Sequence, residues 1–342
     1  MKRSGGEELY LGALAAEASA RADASAAAVE TLYIGGGTPS VLSPEAWRTL
    51  VTTLERIFSF SAEAEVTVEA NPGSLTAEHL RLWREWRVTR VSVGVQSFDD
   101  AELAFLGRPH TAAQAADAAA ACIASGFSVS LDLMLGLPGQ SLRDWARSLR
   151  AASALSVRHL SIYQLTIEPN TPFASRGFAL PDGYAPYRYA QWLLPRRGLA
   201  QYEVASFAEP GYESRHNLVY WADGAYLGLG PAAWSYDGYV RGRNEPELAR
   251  YAELALSRGT AFIREERLSP QASARQAAVL ALRTASGVDW QRFGQKHGEE
   301  TAAAIRGALA QFPPDLVNQD PRRAFLTPKG LRVANRIWEE LL

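Results

Sequence analysis

Three consecutive glycines stand in the run Tyr33-Ile34-Gly35-Gly36-Gly37-Thr38-Pro39-Ser40, directly after a β-type apolar stretch. Lacking side chains, such a turn lets backbone N–H groups approach a ligand closely; the same turn also serves as a tight structural corner. Four more polar residues hold comparable places: Glu69 in Val-Glu-Ala-Asn-Pro-Gly, Gln96 in Gly-Val-Gln-Ser-Phe, Arg108 in Leu-Gly-Arg-Pro-His and Asp132 in Leu-Asp-Leu-Met-Leu-Gly. Taken singly, a carboxylate such as Glu69 or Asp132 caps a helix or pairs with an arginine as readily as it serves a ligand. Each of these residues, however, follows or interrupts an apolar run. Their joint placement is an active-site signal.

The runs span residues 31–34, 65–68, 88–95, 128–135 and 159–165, each followed by a turn and a helical pattern. Helices are expected over 7–21, 43–58, 76–86, 111–125 and 142–155, with Ser43-Pro-Glu-Ala as a start signal and Gly126 as a stop. This alternation predicts an α/β fold with a parallel sheet, open or curled into a barrel, whose strands end on one face. Thr38, Glu69, Gln96, Asp132 and Gln164 should meet there.

From about Pro181 the rhythm stops, and nine of the 13 tyrosines fall between Tyr184 and Tyr239. Residues 201–207, 227–231 and 234–241 suggest strands that complete or flank the sheet. From Ser269 a helical part follows, ending in Leu326-Thr-Pro-Lys-Gly-Leu and a last helix, the pattern of a small winged-helix-like cap. Three units are expected, over 1–180, 181–265 and 266–342.

At 342 residues and 47% hydrophobic content the chain can bury one large core and a smaller one. Lys+Arg 35 against Asp+Glu 37 creates no global field for nucleic acid or an anionic membrane, and DNA binding by the cap is not expected. No apolar leader opens the sequence and no run of eighteen apolar residues occurs, so a cytoplasmic location is expected. The single cysteine, Cys122, excludes an intrachain disulfide and reads as a small buried apolar residue.

The ordered motifs GGGTPS, VEANPGSL, VGVQSFDD, LGRPHT and LDLMLGLPGQ closely resemble the radical S-adenosylmethionine (SAM) family, in the branch containing oxygen-independent coproporphyrinogen III oxidase and the heme chaperone HemW. The likeness runs from about Thr31 through the cap. It implies a partial (β/α) barrel of radical SAM type, a C-terminal α+β extension and the cap. It also implies that Gly36, Gly37, Thr38, Glu69, Gln96, Arg108 and Asp132 contact S-adenosylmethionine. Those residue types suit that ligand: Arg108 can fork to the methionine carboxylate, Glu69 can face the ammonium, and Gln96 with Asp132 can hold ribose hydroxyls.

Within the branch, Arg215-His-Asn-Leu-Val-Tyr-Trp resembles the HNxxYW signature of the heme chaperones, here His216, Asn217, Tyr220 and Trp221. A neutral imidazole is a good axial ligand for heme iron, and aromatic rings stack on a porphyrin; a histidine beside aromatics is equally a hydrogen-bonded core residue. The resemblance implies heme or another tetrapyrrole as cargo, with 181–265 as the part associated with it. It further implies heme-accepting proteins of respiratory type as partners, and is compatible with peripheral membrane association.

Members of the family open with a strand and loop reading approximately HxPFCxxxCxxC, whose thiolates hold three irons of a 4Fe-4S cluster while SAM binds the fourth. The present sequence contains no such stretch, and Glu8-Leu-Tyr-Leu-Gly-Ala-Leu resembles the helix that normally follows it. The first barrel strand is therefore expected to be missing, with 31–34 left as an exposed sheet edge. The 4Fe-4S ligands are expected to be absent, since Cys122 cannot supply three thiolates. Three functional readings follow. The first is a HemW-like binder and donor of heme. The second is a coproporphyrinogen III oxidase, converting two propionates to vinyl groups by radical decarboxylation, against which the HNxxYW match and the missing cysteines argue. The third is a cluster-free scaffold that binds only a tetrapyrrole or a partner protein.

Overall fold

Apolar and polar side chains alternate along the first five strands, and this period of two separates a helix-covered face from a hollow one. The computed structural model describes residues 4–22, 28–169 and 173–342. In chain order its first part comprises α1 (Ser4–Arg21), β1 (Val29–Ile34), α2 (Pro44–Ile57), β2 (Phe60–Ala70), α3 (Ala77–Glu85), β3 (Arg90–Gln96), α4 (Asp100–Phe105), α5 (Ala112–Ala124), β4 (Ser128–Leu135), α6 (Leu142–Ala154) and β5 (His159–Gln164). All five expected strands and all five expected helices are present. The short α4, capped by Asp99, was not anticipated.

The five strands pair in sequence order and in parallel. After α7 (Tyr184–Leu193), the short β6 (Ala200–Gln201) and β7 (Ser206–Ala208) extend the sheet antiparallel beyond β5. Among the described residues the order β1-β2-β3-β4-β5-β7-β6 leaves β1 and β6 as edges, so the sheet does not close into a barrel. Val66, Val68, Val91, Val93, Leu131, Leu133 and Leu160 point away from the hollow and form the main core with Trp47, Trp83 and Trp145 of the helices. Local signals agree with this packing. Ser43 caps α2, capping boxes start α3, α5 and α6, and Gly126 at φ 84° ends α5.

The remainder contains α8 (Arg215–Trp221), a second sheet of β8 (Trp234–Tyr236), β9 (Val240–Asn244) and β10 (Phe262–Arg267), and α9 (Leu248–Arg258) between β9 and β10. The buried Glu17 of α1 ties this part to the first. Its carboxylate accepts from Asn244 Nδ2 at 2.7 Å, Tyr251 Oη at 2.8 Å and Gly230 N at 2.9 Å. The C-terminal part runs α10 (Pro270–Ala281), β11 (Val288–Asp289), α11 (Trp290–His297), α12 (Glu299–Leu309), β12 (Val317–Gln319) and β13 (Arg323–Leu326), with two short helices after them. That helix–strand–helix–helix–strand–strand order, around a core of its own, is a winged-helix arrangement.

The edge strand departs from expectation. Among the described residues β1 pairs with β2 alone, yet its side chains other than Glu30 are half-buried. The reason is α8, which crosses the free edge. His216 Nδ1 lies 3.0 Å from Thr31 Oγ1, and the His216 and Arg215 backbone N–H groups donate to the Glu65 carboxylate at 2.9 and 3.2 Å. No described helix is long and apolar enough to cross a membrane.

Candidate functional site

The hollow face of the sheet is polar throughout. Thr67 and Glu69 of β2, Arg90, Ser92 and Gln96 of β3, Ser130 and Asp132 of β4, and His159 and Ser161 of β5 line a cavity of about 270 Å³. Toward the carboxyl ends of the strands it adjoins a second cavity of about 240 Å³, lined by Gly37, Thr38, Glu69, Asn71, Ser92, Gly94, Gln96, Arg108 and Asp132. Six of the seven residues that the resemblance implies for S-adenosylmethionine thus line one cavity. The seventh, Gly36, is beside it and donates its N–H to Glu69 Oε2 at 3.0 Å. Gln164 is elsewhere, its side chain packed against Gly136 and Gly183.

The glycine turn has a steric cause. A Cβ on Gly35 would come within 2.5 Å of both Glu69 Cδ and Tyr33 Cε1, while Gly36 needs φ +77°. Beneath this turn Glu69 accepts from Tyr33 Oη at 2.8 Å. Burial, then the negative charge of Glu69, pushes the Tyr33 hydroxyl pKa up, so the phenol remains a donor. Among the described residues no cation lies within ion-pair distance of Glu69, and no carboxylate within that distance of Arg108. Arg108 Nη1 instead reaches Asn71 Oδ1 at 3.4 Å, and Asn71 Nδ2 donates to Thr38 Oγ1 at 3.1 Å. Gln96 holds φ 69°, a left-handed conformation that costs a non-glycine residue roughly 1–2 kcal/mol and is commonly found at functional sites.

Asp132 faces the cavity and is half-buried, with protein packed around its carboxyl. That desolvation pushes its carboxyl up to about 6, against the opposing effect of a hydrogen bond from Ser92 Oγ at 3.1 Å. A carboxylate and a guanidinium without ion-pair partners among the described residues, the Gln96 amide on its left-handed backbone and open backbone around Gly37 form a donor and acceptor set for a zwitterionic ligand carrying hydroxyls.

Sequence reasoning missed the deeper layer. His159 is buried between Ser130 Oγ at 2.7 Å and Tyr202 Oη at 2.8 Å, and burial together with Arg90 holds its pKa well down. Arg90, also buried, donates to the Tyr212 carbonyl at 2.9 Å. The available signal was polar residues at every second position along 67–69, 90–92, 130–132 and 159–163.

The HNxxYW residues divide between two sides of α8. Asn217 faces the polar hollow. His216, Tyr220 and Trp221 face a separate cavity of about 770 Å³ between the β1 edge and the second sheet, walled by Tyr10, Tyr33, Tyr226, Trp234 and Tyr236 together with several leucines. The imidazole is fully engaged, Nδ1 with Thr31 Oγ1 at 3.0 Å and Nε2 with Tyr220 Oη at 2.7 Å. Burial pulls its pKa down to about 4, so it is neutral near pH 7. Neutrality suits a metal ligand, but Tyr220 must turn aside before Nε2 can bind one.

An iron–sulfur cluster does not fit the residues present. Cys122, the single cysteine, is fully buried in α5, where desolvation pushes its thiol up to about 12. Among the described residues no group of three His, Cys, Asp or Glu side chains is placed to hold a metal ion.

A curved parallel sheet with a glycine turn and converging polar side chains at its strand ends is the architecture of the radical SAM superfamily, whose model matches residues 3–152. Coproporphyrinogen III oxidase (HemN) from Escherichia coli, a radical SAM enzyme, has the same fold. Its TM-score is 0.86 at 24% identity, over 100% of this chain and 84% of that one. Sequence relatives narrow the assignment. The heme chaperone HemW of Bacillus subtilis is 32% identical over 324 residues, covering 92% of this chain and 86% of that protein. HemW of Mycobacterium tuberculosis H37Rv is 36% identical over 342 residues, 97% and 86% of the two chains. HemW of E. coli is 45% identical over 221 residues, 63% and 58% of the two. The chain belongs to the HemW family of heme chaperones within the radical SAM superfamily, a superfamily that uses SAM and a 4Fe-4S cluster.

Proposed function

We propose that this chain binds heme in the aromatic cavity at the β1 edge, holds S-adenosylmethionine in the polar cavity at the strand ends, and passes heme to acceptor proteins. The observation that carries the heme assignment is the position of His216, a neutral imidazole in the wall of a 770 Å³ aromatic cavity. Ligand cavities span roughly 300–1,000 Å³, and flat aromatic walls suit a macrocycle. Acceptors of the respiratory hemoprotein type, a cytoplasmic location and peripheral contact with the membrane during transfer complete the reading.

For S-adenosylmethionine the residue roles follow charge. Arg108 takes the carboxylate, Glu69 the ammonium, and Gln96 with Asp132 the ribose hydroxyls, while Gly36, Gly37 and Thr38 border the methionyl end. In its superfamily the bound molecule supplies a radical when a cluster reduces it.

Absorbance titration with hemin tests the proposal. Wild-type protein should show a Soret band that His216→Ala weakens and shifts, whereas Tyr220→Phe, which frees Nε2, should retain the band with equal or higher affinity. A His216→Ala variant with the wild-type spectrum and affinity would return His216 to a purely structural part.

A further inference from the structure

The aromatic cavity contains a charge that a flat apolar macrocycle does not by itself require. Arg241 of β9 lines it, with its guanidinium 5.4 Å from the centroid of the Tyr236 ring. The other groups facing the cavity that can carry charge are the neutral His216, several tyrosine hydroxyls and Asp223. Asp223 is already paired, its Oδ2 lying 2.5 Å from Lys296 Nζ, while its buried Oδ1 has no hydrogen-bond partner. Arg241 is not: among the described residues no carboxylate lies within ion-pair distance of it, and its Nη1 donates to the neutral Gln276 Oε1 at 3.0 Å.

Two buried N–H donors in this corner lack acceptors, Arg241 Nε and the Nε2 of its partner Gln276. Buried donors without partners are costly, and a guanidinium without an anion more so. A carboxylate brought in by a ligand would give the guanidinium its anion, since a planar guanidinium fork matches a carboxylate.

We infer that Arg241 is the anchor for a carboxylate side chain of the bound tetrapyrrole, which selects free-acid macrocycles and sets the edge of the ring that faces β9. This rests on the heme assignment of the cavity. Arg241 touches the ligand's carboxylate and not its iron, so its removal should alter affinity and leave the iron's coordination, read from the Soret position, unchanged.

The test compares hemin with hemin dimethyl ester on the full chain. Wild-type protein should prefer hemin by about tenfold, the scale of one charge-assisted hydrogen bond. Arg241→Gln should lose about that factor for hemin, keep the ester affinity and the Soret position, and so erase the preference; Arg241→Lys should keep part of it. An Arg241→Gln variant that retains the preference, or that weakens both probes equally, overturns the inference while the heme reading stands. If Arg241→Gln fails to melt cooperatively, the wild-type comparison decides, and equal affinity for the two probes overturns the inference. Wild-type protein that binds neither probe overturns the heme reading itself and the anchor with it.

Discussion

The His216 ring stacks on Tyr33 with centroids 5.3 Å apart and planes 29° from parallel, and the hydroxyl of the same Tyr33 donates to Glu69 Oε1 at 2.8 Å. One side chain therefore belongs to both cavities, its ring to the aromatic one and its hydroxyl to the polar one. Any ligand-induced shift of Tyr33 would be felt on both sides, and such coupling between two binding free energies is reciprocal.

Tyr33→Phe separates the two contributions. The ring survives, so the hemin spectrum should be unchanged, while Glu69 loses a donor and S-adenosylmethionine binding should weaken by about 1 kcal/mol. Calorimetry and hemin absorbance on the same preparation check this. Loss of hemin binding with intact S-adenosylmethionine binding would reverse the assignment of the two cavities.

Among the described residues no carboxylate lies within ion-pair distance of Arg108, so its removal should be visible mainly in binding. Arg108→Ala should weaken S-adenosylmethionine by about 1.5–3 kcal/mol, the range for hydrogen bonds to charged groups. Equal affinities by calorimetry would remove Arg108 from the site.

Asp132 predicts a pH dependence of stability. Its folded pKa of about 6 stands above the ordinary 3.8, so the folded state binds more protons than the unfolded state between these values. The stabilisation is complete below about 3.8 and is lost as pH rises through 6. Asp132→Asn, which resembles the protonated form, should therefore be more stable than wild type at pH 7.5 by up to about 3 kcal/mol, with the gap closing near pH 4. Urea unfolding at both pH values measures it; a variant less stable than wild type at pH 7.5 would contradict the prediction.

Reconstitution with iron and sulfide under anaerobic conditions should leave these 342 residues without a stoichiometric 4Fe-4S cluster, and Cys122→Ala should not change the result. Iron and acid-labile sulfide near about four per chain would refute this.

The five strands and, apart from the short α4, the helices of the first 165 residues were legible because each carries its own period and punctuation, as Ser43 and Gly126 illustrate. The candidate ligand residues were legible because a parallel sheet sends its strand ends to one face whatever its curvature. Other features depend on long-range packing. Glu65 lies 150 residues from Arg215, and no local pattern reveals that it receives the start of α8. The burial of 31–34 follows from that contact, so edge and lid could be read only together. Gln164 failed for a related reason, since the chain turns after β5 and brings Gly183 against its side chain.

The two cavities that meet at Tyr33 have opposite linings, and their thermodynamic signatures should differ accordingly. A ligand entering the hollow of the sheet exchanges water for hydroxyls, carboxylates and a guanidinium, so its binding enthalpy should change little with temperature. A macrocycle entering the aromatic cavity removes apolar surface from water on both faces, and its enthalpy should become markedly more favourable on warming. Heat-capacity change, measured ligand by ligand, would thus tell which of the two chambers has been filled without a structure of either complex.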